Sequence, residues 1–260
     1  MKMSSVKIEF AVQMTCHKCV EDISSVLSNV SGLEKFDISL EKESVIVQTS
    51  LPSDVIKEKI ESTGRRVVLK GYGYESVFVL VQSSAVAMLG GNTGYSWGEA
   101  KGVVRLVQLD NDNCIVDGTI DGLKPGAHGL HIYECGDLSN GCDKLGNHFS
   151  LMDTRHGGPQ DDQNNRHTGD LGNVIADDLG RASFRFVDKV VKVWDVIGRS
   201  LVVTEDPDDL GKGKTERSTQ DGNSGRRIAC GIISRSAGLN QNPKQICACD
   251  GVSIWDERTT

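Results

Sequence analysis

Two pairs of cysteines are spaced to share one ion or one bond. Cys16 and Cys19 stand in "MTCHKC" with two residues between them, and Cys247 and Cys249 stand in "QICACDG" with only Ala248 between them. In a reducing compartment such close pairs bind metal or do redox work more often than they form permanent cross-links. Two thiolates on an exposed loop suit a soft ion, and Cu(I) accepts a two-thiolate set that a hard ion would refuse. A thioredoxin-like redox pair or a structural pair is the rival reading of a lone CxxC. Cys19 falls in the first turn of an expected helix, where the dipole and the free N–H groups favour thiolate. In an extended tail, residues i and i+2 point to the same side. Cys247 and Cys249 can therefore clamp Cu(I), or close into a strained small-ring disulfide that exchanges readily with other thiols.

A second set of ligand-bearing residues lies within one Gly-rich stretch. His148, His156, His167 and Asp170 offer three imidazoles and one carboxylate, a donor set for closed tetrahedral Zn(II). Scattered surface histidines are the alternative, although four such residues in a single loop with flanking glycines are hard to dismiss.

The elements that must position these groups differ along the chain. In residues 1–72, "VKIEFAV" alternates as a strand, and Val20, Ile23, Leu27 and Val30 recur at helical spacing up to Gly32. "LEKFDISL" and "SVIVQTS" read as strands, "DVIKEKIES" as a helix opened by Pro52 and Ser53, and "RRVVLK" as a last strand. The order βαββαβ predicts an α+β, ferredoxin-like head. "GYGYES" reads as a linker. From 77 to 234 short alternating strands ("SVFVLVQ", "GVVRLVQL", "CIVDGTIDG", "RASFRFVD", "SLVVTE", "RIACGII") sit between Gly- and Asp-rich loops with no convincing helix, which predicts an all-β antiparallel sandwich or barrel. Two loops are longer than usual, about 133–170 and 204–226, and long loops in a compact domain tend to be functional. Residues 235–260 read as an irregular tail.

Composition narrows the partners. With 29 basic and 36 acidic side chains the formal charge of the 260 residues is −7, so neither nucleic acid nor a membrane surface is expected as a partner. No run of 18 apolar residues would span a membrane. The start "MKMSSVKIEF" lacks the apolar core of a secretory signal, and the cytoplasm is the expected location, with the mitochondrial intermembrane space as a second one.

The head resembles the MxCxxC copper-binding domains of soluble copper chaperones and copper-pumping ATPases. The blocks "GAHGLHIYECGD", "GNHFS", "RHGGPQDD", "NRHTGDLGNV", "EDPDDLGKG" and "GRRIACGII" resemble copper/zinc superoxide dismutase, over roughly residues 85–234. That resemblance implies a Greek-key barrel and a disulfide between Cys142 and Cys230. It also implies an active-site arginine at Arg227 and an aspartate, Asp208, linking the copper and zinc ligands. Two of the dismutase's four copper histidines have counterparts, His131 and His148; the others fall at Tyr133 and Thr204. A neutral phenol and a hydroxyl are poor copper ligands, so the dismutase copper site is not expected to be competent. Cys135 is a thiol nearby, and the roles of Cys135 and Cys114 stay open.

Head, disulfide-bearing body and CxC tail together resemble the copper chaperones for superoxide dismutase; "VWDVIGRSL" and "RSAGLNQNPKQICACDG" are typical of that family. The resemblance implies a non-enzymatic metallochaperone. It would take up Cu(I) at Cys16 and Cys19 and dock on immature copper/zinc superoxide dismutase as a heterodimer. Copper and a disulfide would then pass to the client through Cys247 and Cys249. The implied docking surface involves Cys135–Asp137, Ile197–Gly198 and Gly231–Ile233; Trp194 either adds to it or, as aromatics in β-rich domains more often do, belongs to the core; a homodimer through the same surface stays open. The rival readings are a copper/zinc superoxide dismutase with an appended copper-binding domain, and a module that only sequesters copper.

Overall fold

A computed structural model of the chain describes residues 5–73 and 84–236, which fall into two units parting between residues 82 and 83. The first unit runs β1 (Val6–Val12), α1 (His17–Ser28), β2 (Leu33–Ser39), β3 (Ser44–Thr49), α2 (Ser53–Glu61) and β4 (Val67–Gly73). Its antiparallel sheet has the order β2-β3-β1-β4, the ferredoxin-like arrangement expected from the sequence. Central β1 buries Ile8, Phe10 and Val12, and the helices bury Ile23 and Leu27 of α1 and Ile56 and Ile60 of α2. Full burial of each such side chain favours the fold by about 1.5–3 kcal/mol.

Two boundaries differ from expectation. Helix α1 stops at Ser28, and Val30 lies beyond it in a turn whose N–H bonds the Leu27 carbonyl. The stretch read as a linker begins inside β4: Gly71, Tyr72 and Gly73 pair with Glu9, Ile8 and Lys7 of β1, and Tyr72 is buried. The first half of β1 needs a partner on that side, and these residues supply it.

The second unit comprises β5 (Ser84–Leu89), β6 (Tyr95–Ser96), β7 (Lys101–Gln108), β8 (Cys114–Asp121), β9 (Gly126–Tyr133), β10 (Asp170–Ala176), β11 (Ala182–Asp188), α3 (Val193–Val196), β12 (Ser200–Thr204), α4 (Ser218–Asp221) and β13 (Arg227–Ser236). The strand order is β10-β9-β12-β13-β5-β7-β8-β11, with β6 added to β13. End strands β10 and β11 lie against each other, so the sheet curls into a nearly closed barrel. Leu89, Val104, Leu106, Val116, Ile120, Leu130, Leu201 and Val203 are among the side chains that fill it. The strand expected at residues 76–82 lies outside the described residues. Strands β5, β6, β9 and β10 were not among those expected, and the four-residue helices α3 and α4 interrupt a body read as helix-free. Between β9 and β10, and between β12 and β13, run the two long loops.

The first long loop is fastened to the barrel by a buried ion pair. Arg166 Nη2 lies 2.7 Å from Asp188 Oδ2 with both side chains fully buried. Asp188 Oδ1 also accepts the N–H groups of Val190 and Val191. Removing one partner of such a pair strands the other charge without solvent, at a cost of about 3–5 kcal/mol. Asp188→Ala is therefore expected to lower the urea midpoint of the body sharply, with Asp188→Asn intermediate because it keeps one acceptor for the two N–H groups. Urea unfolding followed by tryptophan fluorescence measures this, and an alanine variant as stable as the parent would show that the pair does not anchor the loop.

Candidate metal centres

The CxxC pair sits where the first strand hands over to the first helix. Cys16 is the N-cap of α1, in extended conformation, and Cys19 lies in the first turn with 8% of its surface exposed. The two sulfurs are 3.7 Å apart. Hydrogen bonding from the Thr15 backbone, the guanidinium of Arg65 and the Cys16 backbone together lower the Cys19 thiol to about 6, against an opposing effect of burial. Arg65 is itself held, Nη1 donating to the Thr63 carbonyl and Nη2 to Asp22 Oδ2, each at 2.8 Å. A fixed cation thus stands beside a thiol that ionises easily and whose partner, Cys16, is exposed. That geometry suits a soft ion entering and leaving. No motif in the sequence pointed to Arg65.

In the body, three imidazoles close on one oxygen. The Nδ1 atoms of His148, His156 and His167 lie 2.8, 3.0 and 3.3 Å from Asp170 Oδ1. In a tetrahedral zinc site with bonds near 2.0–2.1 Å the edges between donor atoms would be about 3.3 Å. The His156 contact is close enough for a hydrogen bond but is not angled as one, so this buried Nδ1 is left without a hydrogen-bond partner. An ion shared by the four groups would satisfy it, and the residues fit Zn(II). A second grouping takes His131 in place of His167, its ligand atoms all within 4.8 Å of one another. His131, however, turns its Nε2 to Asp208, so its place is beside the Nδ1 set rather than in it.

Asp208 joins the two halves of the centre. Its Oδ2 is 3.0 Å from His131 Nε2 and its Oδ1 2.7 Å from His156 Nε2. Burial disfavours its charge, but hydrogen bonds from His131 and His156 prevail and lower it to about 2. Burial likewise opposes ionisation of Asp170, yet the three imidazoles of His148, His156 and His167 close around it hold it far below the carboxylate range. Burial and the nearby His131 lower His148 to about 3. His156 is pushed down by burial, but Asp170 and Asp208 outweigh that and lift it to about 9. Gly222, at the end of α4 with φ +65°, lets the backbone approach: a Cβ there would run into Asp208 Oδ1 and His156 Nε2.

The position that holds copper in a dismutase is built differently here. The His131 ring stacks on His148 at 4.1 Å, and its Nδ1 is buried without a hydrogen-bond partner among the described residues. Tyr133 sets its hydroxyl 3.1 Å from His148 Nε2, and burial raises its phenol further above the ordinary value, so it is neutral. Thr204 donates its hydroxyl to backbone carbonyls of Gly129 and Asp206. Arg227 spends its guanidinium on the carbonyls of Cys142, Asp143 and Gly146, and stacks 4.1 Å over the Tyr133 ring.

Cys142 and Cys230 are bonded, tying the first long loop to β13. Cys114 is buried, which pushes its thiol up and makes it unreactive, whereas Cys135 is exposed. The three segments named for docking meet: Gly198 N–H bonds the Ile233 carbonyl, Ile233 N–H the Arg199 carbonyl, and Ser200 Oγ the Cys135 carbonyl. Trp194 and Ile232 are exposed near them in sequence, at 43% and 39%. Cys247 and Cys249 lie outside the described residues.

Residues 100–233 match the family model for copper/zinc superoxide dismutase (SODC), and residues 9–66 that for the heavy-metal-associated domain. The copper chaperone for superoxide dismutase of Sus scrofa is 55% identical over 251 residues, 96% of this chain and 88% of its own. The protein of the same name from Homo sapiens is 53% identical over the same shares. Among solved structures, that of the clock protein EA4 is 37% identical with a TM-score of 0.54, covering 62% of this chain and 99% of its own.

The depressed Cys19 thiol gives a direct test. A lowered value means thiolate persists as pH falls until about 6, so alkylation of Cys19 by iodoacetamide, read by peptide mass spectrometry, is expected to be half-maximal near pH 6. An ordinary cysteine would reach that point near 8.5. Arg65→Ala should move the profile of Cys19 upward without moving that of Cys135. A Cys19 profile indifferent to Arg65 would remove the cation from the account.

Proposed function

The chain belongs to the copper chaperones for superoxide dismutase, and from that membership we propose that it takes up Cu(I) at Cys16 and Cys19 and delivers it to immature copper/zinc superoxide dismutase. One observation carries the reading: two sulfurs 3.7 Å apart beside a fixed guanidinium, in the same chain as a dismutase barrel whose copper position is filled by Tyr133 and Thr204. A dismutase must keep its copper through every cycle. A carrier must let it go, and thiolates at the open end of a helix favour release by exchange.

The body recognises the client. Its patch around Cys135, Ile197–Gly198 and Gly231–Ile233 corresponds to a dismutase dimer surface, and an isologous surface accepts a look-alike subunit in place of a true one. Cys247 and Cys249 hand over the ion as thiolates; once a two-electron oxidant such as dioxygen has joined them as a disulfide, the same pair passes that S–S bond to the client's two thiols by exchange and returns to the dithiol. The chain does not itself dismute superoxide, because two imidazoles are too few to hold redox copper. Its location is the cytoplasm, with the mitochondrial intermembrane space as a second one.

Zinc at Nδ1 of His148, His156 and His167 and at Asp170 orders the long loop. It supplies the fixed positive charge that the two buried carboxylates require. With no metal, the proton that His156 holds up to about pH 9 does part of that work.

Two measurements test these assignments. Below about pH 9 the His156 proton must leave before its Nδ1 can bind. Apparent zinc affinity, by chelator competition, is therefore expected to fall about tenfold for each pH unit below that point, one proton being displaced. A flat profile would place zinc elsewhere. For delivery, activation of apo-dismutase is compared between Cys247→Ser/Cys249→Ser and Cys16→Ser/Cys19→Ser proteins. The tail variant should fail at every copper level while still binding the client. The head variant should fail only when copper is scarce. The opposite pattern would reverse the roles of head and tail.

A further inference from the structure

We propose that Tyr133 is a positioning residue for the zinc centre: its hydroxyl holds His148 by Nε2, so that Nδ1 stays aimed at the Asp170 oxygen. This rests on the reading of the Nδ1 set as a zinc site and adds the residue that keeps it in shape.

An isolated antiparallel bridge brings Tyr133 and His148 side by side where the long loop leaves β9. Their rings meet edge to face, centroids 4.8 Å apart at 79°. Both are nearly fully buried, at 3% and 4% exposed. The His148 ring is therefore pinned at both nitrogens, Nδ1 at 2.8 Å from Asp170 Oδ1 and Nε2 at 3.1 Å from Tyr133 Oη. Tyr133 is itself fixed by the Arg227 guanidinium across its face.

The proton count explains why a hydroxyl suits this place. Without metal, Nδ1–H of neutral His148 donates to Asp170, and Nε2 has only a lone pair, which accepts the Tyr133 O–H. For Nδ1 to bind an ion its lone pair must be free, so the single ring proton sits on Nε2 and donates to Tyr133 Oη. The ring keeps one proton throughout, and the hydroxyl rotates from donor to acceptor. Phenylalanine can do neither and would leave a buried N–H unpaired in the metal-bound form. Histidine at 133 would satisfy Nε2 but would add a nitrogen ligand at the copper position. Tyrosine gives the outer hold on a zinc ligand while withholding the nitrogen.

The test compares the full chain with Tyr133→Phe, which keeps the ring under Arg227. Zinc affinity by chelator competition is expected to drop about 10–100-fold, the usual loss when the outer partner of a ligating histidine goes. The zinc-loaded parent, labelled with 15N-histidine, should show a slowly exchanging Nε2–H for His148. In Tyr133→Phe that proton should exchange fast while barrel amides stay in place, a change that mere loss of packing would not make. Equal zinc affinity in the two proteins would overturn the proposal. So would a zinc-loaded parent without the protected Nε2–H, and this holds even if the variant fails to fold. A parent that binds no zinc at all would sink the zinc reading first, before any variant is compared.

Discussion

Asp170 is a buried carboxylate with three imidazole nitrogens within 3.3 Å of one of its oxygens. Such a charge is costly out of water unless paired and fully hydrogen-bonded. Much of the body's irregular structure serves that need. Its Oδ2 accepts the backbone N–H groups of Gly157 and His167. The loop that supplies the imidazoles would otherwise be a long excursion with little apolar surface. It is held at one end by the Cys142–Cys230 bond and further on by Arg166–Asp188. The second long loop returns only to bring Asp208 against His131 and His156, and Gly222 is where its backbone must come too close for any side chain.

The head and the body solve opposite problems with metal-binding side chains. In the body the centre is buried at His131, His148, His156, Asp170 and Asp208, with only His167 partly exposed. In the head, Cys16 is exposed at a helix N-terminus, and one cation beside Cys19 keeps its sulfur ready to ionise. Buried oxygen and nitrogen donors favour permanence and a borderline ion; exposed thiolates favour transfer of a soft one. The two chemistries coexist in one chain because each sits in its own unit.

The βαββαβ order of the head was legible because its strands and helices bury single faces, Ile8, Phe10 and Val12 against Ile23, Leu27, Ile56 and Ile60. The body was legible as all-β from its loops and from strands such as Lys101–Gln108. Strands β9 and β10 were not read as strands, for a physical reason. "GAHGLHIY" and "DLGNVIA" carry glycines where neighbouring chains approach and polar ligands where a core residue would stand, so alternation is lost where the site is built. The candidate ligand residues stood out by type and spacing. Arg65, Arg166 and Gly222 did not, since each acts through a contact far away in sequence, Asp22, Asp188 and Asp208.

The same remoteness explains how one scaffold could exchange catalysis for delivery with few changes. Barrel, disulfide, Asp208 and the Nδ1 set all depend on one another, and losing any would expose the buried charges. Positions 133 and 204 are less constrained: each needs only to satisfy what it touches, His148 Nε2 in one case and the Gly129 and Asp206 carbonyls in the other. Hydroxyl groups meet those needs as well as imidazoles would, without offering copper a nitrogen. A body that keeps a dismutase's barrel while replacing two nitrogen donors with hydroxyl groups offers a soft ion less than the paired thiols of the head do.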